Sequence, residues 1–269
     1  MGQHFLTDLN IAKAIADTVD ACPDTPVLEV GPGMGVLTQY IMPKGREFKV
    51  VEIDEESVAY LNEKYPELRQ NIVGEDFLKM DLNKLFGGRK FVLTGNYPYD
   101  ISSQIFFKML DNKDLIPCCT GMIQREVALR MASSPCTKAY GILSVLIQAW
   151  YDVEYLFTVD ENVFNPPPKV KSAVICMKRN SVEDLGCDWQ LFRRVVKTVF
   201  NQRRKMLRVS LKQIFPDVSA HKSFFESPVM TKRPEQLTVS QFVDLTNMVA
   251  VELADNDTAV TDDDKGCQI

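Results

Sequence analysis

PVLEVGPGMG, residues 26–35, runs from a short apolar strand straight into three glycines at alternate positions, Gly31, Gly33 and Gly35. Such a junction lets the backbone turn tightly and come close to a ligand. A dinucleotide loop is expected as G-x-G-x-x-G with a pyrophosphate on the following helix end, whereas this one is G-x-G-x-G with Glu29 two residues ahead of it. A G-x-G pair is a weak signal alone, so the flanking sequence must decide its meaning.

Outward from the loop, strand and helix patterns alternate. Residues 9–21 show helical spacing before the loop; FKVVEID (48–54) reads as a second strand and EESVAYLNEKY as the helix after it. NIVGED (71–76), KFVLTGN (90–96), ISSQIFFKML (101–110), TGMIQ (120–124) and REVALRMA (125–132) continue the alternation. That order predicts a parallel sheet covered on both faces, an α/β fold. YGILSVLIQAW (140–150) reads as helix, and VEYLFTV (153–159) with VKSAVICMK (170–178) as an antiparallel hairpin closing the sheet edge. From about residue 183 the pattern is helical, and a T-x-x-Q capping box, Thr238 to Gln241, is expected to start the last helix. The expected domains are 1–180, a small helical domain over 181–254, and a disordered acidic tail over 255–269.

Composition bounds the chemistry. With 269 residues, 45% hydrophobic and 25% charged, the chain can bury a large core. The uncharged apolar run over residues 139–151 is too short for a membrane-spanning helix, and no signal peptide precedes the first motif, so a cytoplasmic protein without a membrane partner is expected. Seven cysteines without a C-x-x-C pair are expected to be reduced and mostly buried. His4 and His221 lack neighbours at metal-ligand spacing, so no metal is expected.

Acceptors stand at three consecutive strand ends. Glu52 can take both hydrogen bonds of a ribose diol, and Asp76 can accept from an adenine amino group. Each alone also suits a solvated strand-end carboxylate. Together, at the carboxyl edge of one parallel sheet, they point to a cofactor that carries a nucleoside.

The fourth strand ends in GNYPYDISSQ, residues 95–104. Asn-Tyr-Pro-Tyr resembles the (Asp/Asn)-Pro-Pro-Tyr motif of amino-group methyltransferases, and the resemblance implies an exocyclic amine of adenine as target. Such an amine delocalises its lone pair into the ring and is a poor nucleophile until acceptors draw on its two protons. The side-chain oxygen of Asn96 and the carbonyl of Pro98 can be those acceptors, and the fixed φ of Pro98 helps to hold the turn. Tyr99 can stack on the base, which contributes about 1–3 kcal/mol. Catalysis would then consist mostly of positioning.

GQHFL (2–6), EVGPGMG (29–35), GNYPYDISS (95–103), QREVALRM (124–131), KAYGILSVLIQ (138–148), FNPPPKVKSAV (164–174) and FNQRRKMLR (200–208) occur in this order. Together they resemble the ribosomal RNA adenine N6,N6-dimethyltransferase family, bacterial small-subunit type; the glycine loop resembles motif I of S-adenosyl-L-methionine methyltransferases. The resemblance implies a Rossmann-like methyltransferase sheet and transfer of four methyl groups to two adjacent adenosines near the 3′ end of small-subunit ribosomal RNA, within a pre-assembled subunit. By motif position it implies cofactor contacts for His4, Leu6, Gly31, Gly33, Glu52, Ile53, Asp76, Phe77 and Asn96. It gives Asn96, Pro98 and Tyr99 the target amine, with Tyr99 and Phe164 against the base. His4 stands where many relatives have Asn, and Tyr97 replaces the more usual Leu or Ile at what is expected to be the pocket edge. Relatives usually carry a short basic segment before GQHFL, so a shortened amino terminus is expected.

The net charge of −5 resides in residues 252–269, which hold six acids and one lysine, while residues 189–216 carry eight Lys/Arg and no acid. In residues 190–215 the spacing of Val196, Phe200, Leu207, Leu211 and Ile214 predicts an apolar helix side, with Arg204, Arg208 and Lys212 as a basic row. Arg203, Arg204, Lys205 and Arg208 are the candidate RNA contacts, and salt-sensitive binding is expected. Arg125 and Arg130 either add to this surface or pair with Glu126 or a neighbour. Two other readings compete: a large-subunit adenine methyltransferase of the macrolide-resistance type, and a non-catalytic assembly or transcription factor that keeps the cofactor pocket. No sustained heptad is evident, so a monomer is expected.

Overall fold

Short apolar runs alternating with amphipathic ones become layers in the computed structural model, which describes residues 4–263. In chain order the strands are β1 (Phe5–Leu6), β2 (Val27–Val30), β3 (Phe48–Val51), β4 (Ile72–Val73), β5 (Val92–Thr94), β6 (Cys118–Gln124), β7 (Tyr151–Val159), β8 (Phe164–Asn165) and β9 (Ser172–Arg179). The helices are α1 (Leu9–Asp17), α2 (Thr38–Ile41), α3 (Glu55–Lys64), α4 (Ser102–Asp111), α5 (Arg125–Met131), α6 (Ile142–Gln148), α7 (Trp189–Asn201), α8 (Leu207–Ser210), α9 (Lys222–Glu226) and α10 (Val239–Asp263). Two compact units result, Met1–Ala132 with Trp150–Asn180 and Ser133–Ala149 with Ser181–Ile269.

Residues 133–149, which the sequence reading leaves in the first domain, belong to the second unit. The reason is where their polar groups find partners. Tyr140 Oη donates to the Leu237 carbonyl at 2.9 Å, and the Arg203 guanidinium donates to the carbonyls of Tyr140 at 2.6 Å and Thr137 at 2.9 Å.

Among the described residues, the first unit holds a seven-stranded sheet in the order β4-β3-β2-β5-β6-β9-β7. β2 pairs in parallel with β3 and β5, β3 with β4, and β5 with β6. All four residues of β2 are buried, as a central parallel strand requires. The expected hairpin forms, but its returning strand β9 inserts between β6 and β7 and runs antiparallel to both. Because the chain proceeds from β2 toward β4 on one side and from β5 toward β6 on the other, the switch point lies between β2 and β5. Ligands of open α/β sheets bind in the crevice beyond such a point. The glycine loop follows β2, and Asn96 follows β5.

The second unit is helical. α7 is capped by Asp188, whose carboxylate accepts the Leu191 amide, and it buries Phe192, Val195, Val196, Val199 and Phe200 at helical spacing. The single helical face expected over 190–215 breaks after Asn201. The backbone leaves the helix at Gln202, with φ −120° and ψ 43°; three consecutive cations follow, and the first, Arg203, is held by the carbonyls of Thr137 and Tyr140. The Thr238 box forms as expected, with the Gln241 amide donating to Thr238 Oγ1 at 3.2 Å and the Thr238 amide to Gln241 Oε1 at 3.1 Å. α10 then continues to Asp263, so the tail expected to be disordered from residue 255 is helical over nine of its positions. No Pro or Gly interrupts the chain there before Gly266. Residues 264–269 of that expected tail lie outside the described residues.

Among the described residues, no helix is long and apolar enough to cross a membrane. Six cysteines are free there, but only Cys118, Cys119 and Cys176 are buried, fewer than expected.

Candidate active site

The glycine loop begins with backbone conformation. Gly31, Gly33 and Gly35 have φ of +66°, +52° and +78°, a region that disfavours any side chain. At Gly35 space is lacking too: a Cβ would lie 2.7 Å from Cε2 of Tyr65, whose hydroxyl donates to the Gly35 carbonyl.

Glu52, just past β3, supports this loop. Its Oε2 accepts the Gly33 amide at 3.0 Å, and its Oε1 accepts the amides of Ile53 and Asp54 at 2.9 and 3.0 Å. The N–H that a phosphate-binding loop would offer to an anion is thus aimed at a carboxylate. A pyrophosphate would meet negative charge here. A neutral nucleoside bearing a positive centre meets attraction, with a carboxylate still able to accept from a ribose hydroxyl. S-adenosyl-L-methionine has that character, so the residues present fit it.

Glu29 lies inside the sheet on β2 and is buried. Its carboxylate accepts the Thr38 hydroxyl at 2.7 Å. Burial pushes its carboxyl up to about 8, and the Glu52 charge pushes the same way. Near neutral pH the Glu29 carboxyl therefore keeps its proton.

Ile53 is 68% exposed, an apolar side chain beside the carboxylate, and Met34 within the glycine loop is also exposed. Both offer apolar surface to a purine or thioether. Asp76, past β4, accepts the Leu78 amide at 2.9 Å and pairs with Lys79 at 3.3 Å. Phe77 is buried beneath it with the Lys108 ammonium 5.6 Å from its ring centre. Leu6 is buried as well. Of the residues expected at the cofactor, Leu6 and Phe77 therefore turn their side chains into the core.

The Asn-Tyr-Pro-Tyr stretch splits into inward and outward members. Asn96 bridges to Met122 of β6 through its backbone, and among the described residues its carboxamide has no hydrogen-bond partner. Tyr97, expected at the pocket edge, is 1% exposed and points into the core; its hydroxyl donates to the Thr120 carbonyl at 2.8 Å. Room for that ring comes from Gly121, where a Cβ would lie 2.8 Å from Tyr97 Cε2. Pro98 is exposed and adjoins the glycine loop, for a Cβ on Gly31 would lie 4.0 Å from its Cγ and Cδ. Its carbonyl accepts the Ile101 amide at 3.3 Å and keeps a second lone pair. Tyr99 is half-buried, and its hydroxyl lies 2.5 Å from Ser172 Oγ.

The amino-terminal segment closes one side. β1 pairs antiparallel with β8, Leu6 opposite Phe164, and His4 Nδ1–H donates to the Pro166 carbonyl at 2.7 Å. The His4 ring lies 6.3 Å from that of Tyr99 at an interplanar angle of 29°. Phe164, expected to face the base, is 4% exposed and belongs to the buried cluster with Leu6, Val159 and Val174. The ring beside Tyr99 in this structure is His4.

In the second unit Arg204, Lys205 and Arg208 are exposed, while Arg203 is engaged by the Thr137 and Tyr140 carbonyls and is half-buried. Arg130 pairs with Glu126 on α5. Sequence reasoning missed Ser172, because nothing local marks a serine that meets a tyrosine 73 positions away.

Residues 1–250 match the sequence model of a family described as ribosomal RNA adenine dimethylase. The chain belongs to the ribosomal RNA adenine dimethylase family. It is 64% identical over 264 residues to the ribosomal RNA small subunit methyltransferase A of Phocaeicola vulgatus, covering 98% of this chain and 93% of that protein. The protein of the same name from Bacteroides fragilis is 67% identical over 249 residues, covering 93% and 90%. Among solved structures, a dimethyladenosine transferase from Plasmodium falciparum superposes with a TM-score of 0.76 at 22% identity, over 93% of this chain and 98% of that one, a likeness of fold. The 23S rRNA methyltransferase ErmE has a TM-score of 0.63 at 28% identity, over 89% and 99%. This member of the dimethylase family thus has the mostly parallel methyltransferase sheet expected for it.

Proposed function

We propose that the protein transfers methyl groups from S-adenosyl-L-methionine to the exocyclic amines of two adjacent adenosines in a 3′-terminal loop of small-subunit ribosomal RNA. The observation that carries this reading is the placement of Asn96: a carboxamide without a hydrogen-bond partner among the described residues, at the sheet switch point and two residues from a proline that adjoins the glycine loop. The choice of small-subunit RNA is supported by two ribosomal RNA small subunit methyltransferases A that are 64% and 67% identical to this chain.

S-adenosyl-L-methionine, when bound, supplies a methyl group on a sulfonium that needs no further activation. Glu52 and the glycine loop hold the nucleoside end, Ile53 offers it an apolar face, and Asp76 offers an acceptor for its amine. Asn96 Oδ1 and the Pro98 carbonyl accept the two N–H bonds of the target adenine and turn its lone pair away from the ring. Tyr99 stacks on the extruded base, with Phe164 supporting the site from within the core. No strong base is required, because the amine is far more acidic once alkylated and can lose its proton to water. Arg204, Lys205 and Arg208 contact RNA phosphates, so binding weakens with salt. The reading carries with it a cytoplasmic monomer acting on a pre-assembled small subunit.

Tritiated S-adenosyl-L-methionine incubated with purified small subunits, large subunits and naked RNA tests it. Label as dimethyladenosine in small subunits alone is the expected result. Label in large-subunit RNA, or cofactor binding without transfer, overturns it.

A further inference from the structure

Tyr99 must hold its ring still if a base is to stack on it in reactive register. Its backbone is tied down at the carbonyl, which accepts from Ser102 Oγ at 3.3 Å. That leaves two side-chain torsions. The hydroxyl oxygen lies on the axis of the second, so anchoring it fixes where the ring is and leaves only its plane to be set.

Ser172 provides that anchor. It is fully buried as the first residue of β9, between Gln124 of β6 and Val159 of β7, so its Oγ is placed by two strand pairings. The hydroxyls of Ser172 and Tyr99 share a hydrogen bond at 2.5 Å. A buried hydroxyl without a partner costs free energy, so each group holds the other. The plane is limited by His4, whose ring lies 6.3 Å away at 29° and is held by the Pro166 carbonyl. Ser172 and the Pro166 carbonyl that holds His4 both lie in the stretch that runs from β8, which carries Phe164, to the start of β9.

We propose that Ser172 is a positioning residue for methyl transfer: its hydroxyl, through Tyr99 Oη, sets the stacking ring relative to Asn96 and Pro98. The inference rests on the function proposed above, in which Tyr99 meets the base. Ser172 itself touches neither base nor cofactor.

Ser172→Ala, Tyr99→Phe and the double variant separate this from a merely structural role. Each single variant is expected to lower kcat on small subunits about tenfold, the scale of one hydrogen bond, with KM for subunits and Kd for cofactor unchanged. The double variant is expected to be no slower than either single one. Parental kcat in Ser172→Ala, an additive loss of about a hundredfold in the double variant, or a fall in cofactor affinity together with Tm would overturn it. Tyrosine labelled with carbon-13 gives a readout that does not depend on turnover. Ser172→Ala should shift and average the Tyr99 ring signals, identified by their absence in Tyr99→Ala. Unchanged signals sink the inference, whereas a parental protein that transfers no methyl sinks only the functional reading.

Discussion

Oε2 of Glu52 lies 3.0 Å from the amide nitrogen of Gly33, so the carboxylate at the end of one strand holds the loop that follows its neighbour. The same side chain accepts the amides of Ile53 and Asp54. Three backbone donors fix this carboxylate in place, and in the proposed function it accepts from a ribose. Hydrogen bonds to charged groups are worth about 1.5–3 kcal/mol, so Glu52→Ala is expected to weaken S-adenosyl-L-methionine binding about 10- to 100-fold by calorimetry. Unchanged affinity would remove Glu52 from the cofactor site.

Asn96 is expected to act on the amine more than on the cofactor, because the glycine loop and Glu52 remain when its carboxamide is gone. Asn96→Ala should slow transfer to small subunits about 100-fold or more, in line with loss of one transition-state hydrogen-bonding group, while cofactor Kd changes little. Transfer at the parental rate refutes its assigned role.

Glu29 predicts how stability depends on pH. Its carboxyl holds its proton up to about 8 when folded and releases it near 4.5 when unfolded. Between those values unfolding releases a proton, so this group's contribution is complete below about 4.5 and is lost as pH rises toward 8. Glu29→Gln, which keeps an acceptor for Thr38 without a charge, should flatten the fall in Tm across that window. An identical pH profile would show that Glu29 is ionised in the fold.

Phe164 belongs to the core as placed, so Phe164→Ala should cost about 3–5 kcal/mol of stability in addition to any loss of transfer. Chemical denaturation measures the first quantity. A stability within about 0.5 kcal/mol of the parent would mean that the ring spends its time outside the core.

Local sequence was enough for the alternation that makes a parallel sheet, the three glycines, the Thr238 box and the acceptors at strand ends, because each is fixed by hydrogen bonds and torsions within a few residues. Inward or outward orientation inside Asn-Tyr-Pro-Tyr was not legible. Tyr97 is buried because Gly121, on a neighbouring strand, leaves space for its ring, and Phe164 because β8 pairs with the amino-terminal β1.

By itself the sequence determined the sheet, the glycine loop and the side chains available for chemistry, since backbone preference and apolar period are local properties. Only the tertiary structure decided that Arg203 holds carbonyls, that residues 133–149 join the helical unit, and that Ser172 meets Tyr99. Those outcomes depend on which buried polar groups find partners far along the chain, and no short-range pattern encodes that pairing.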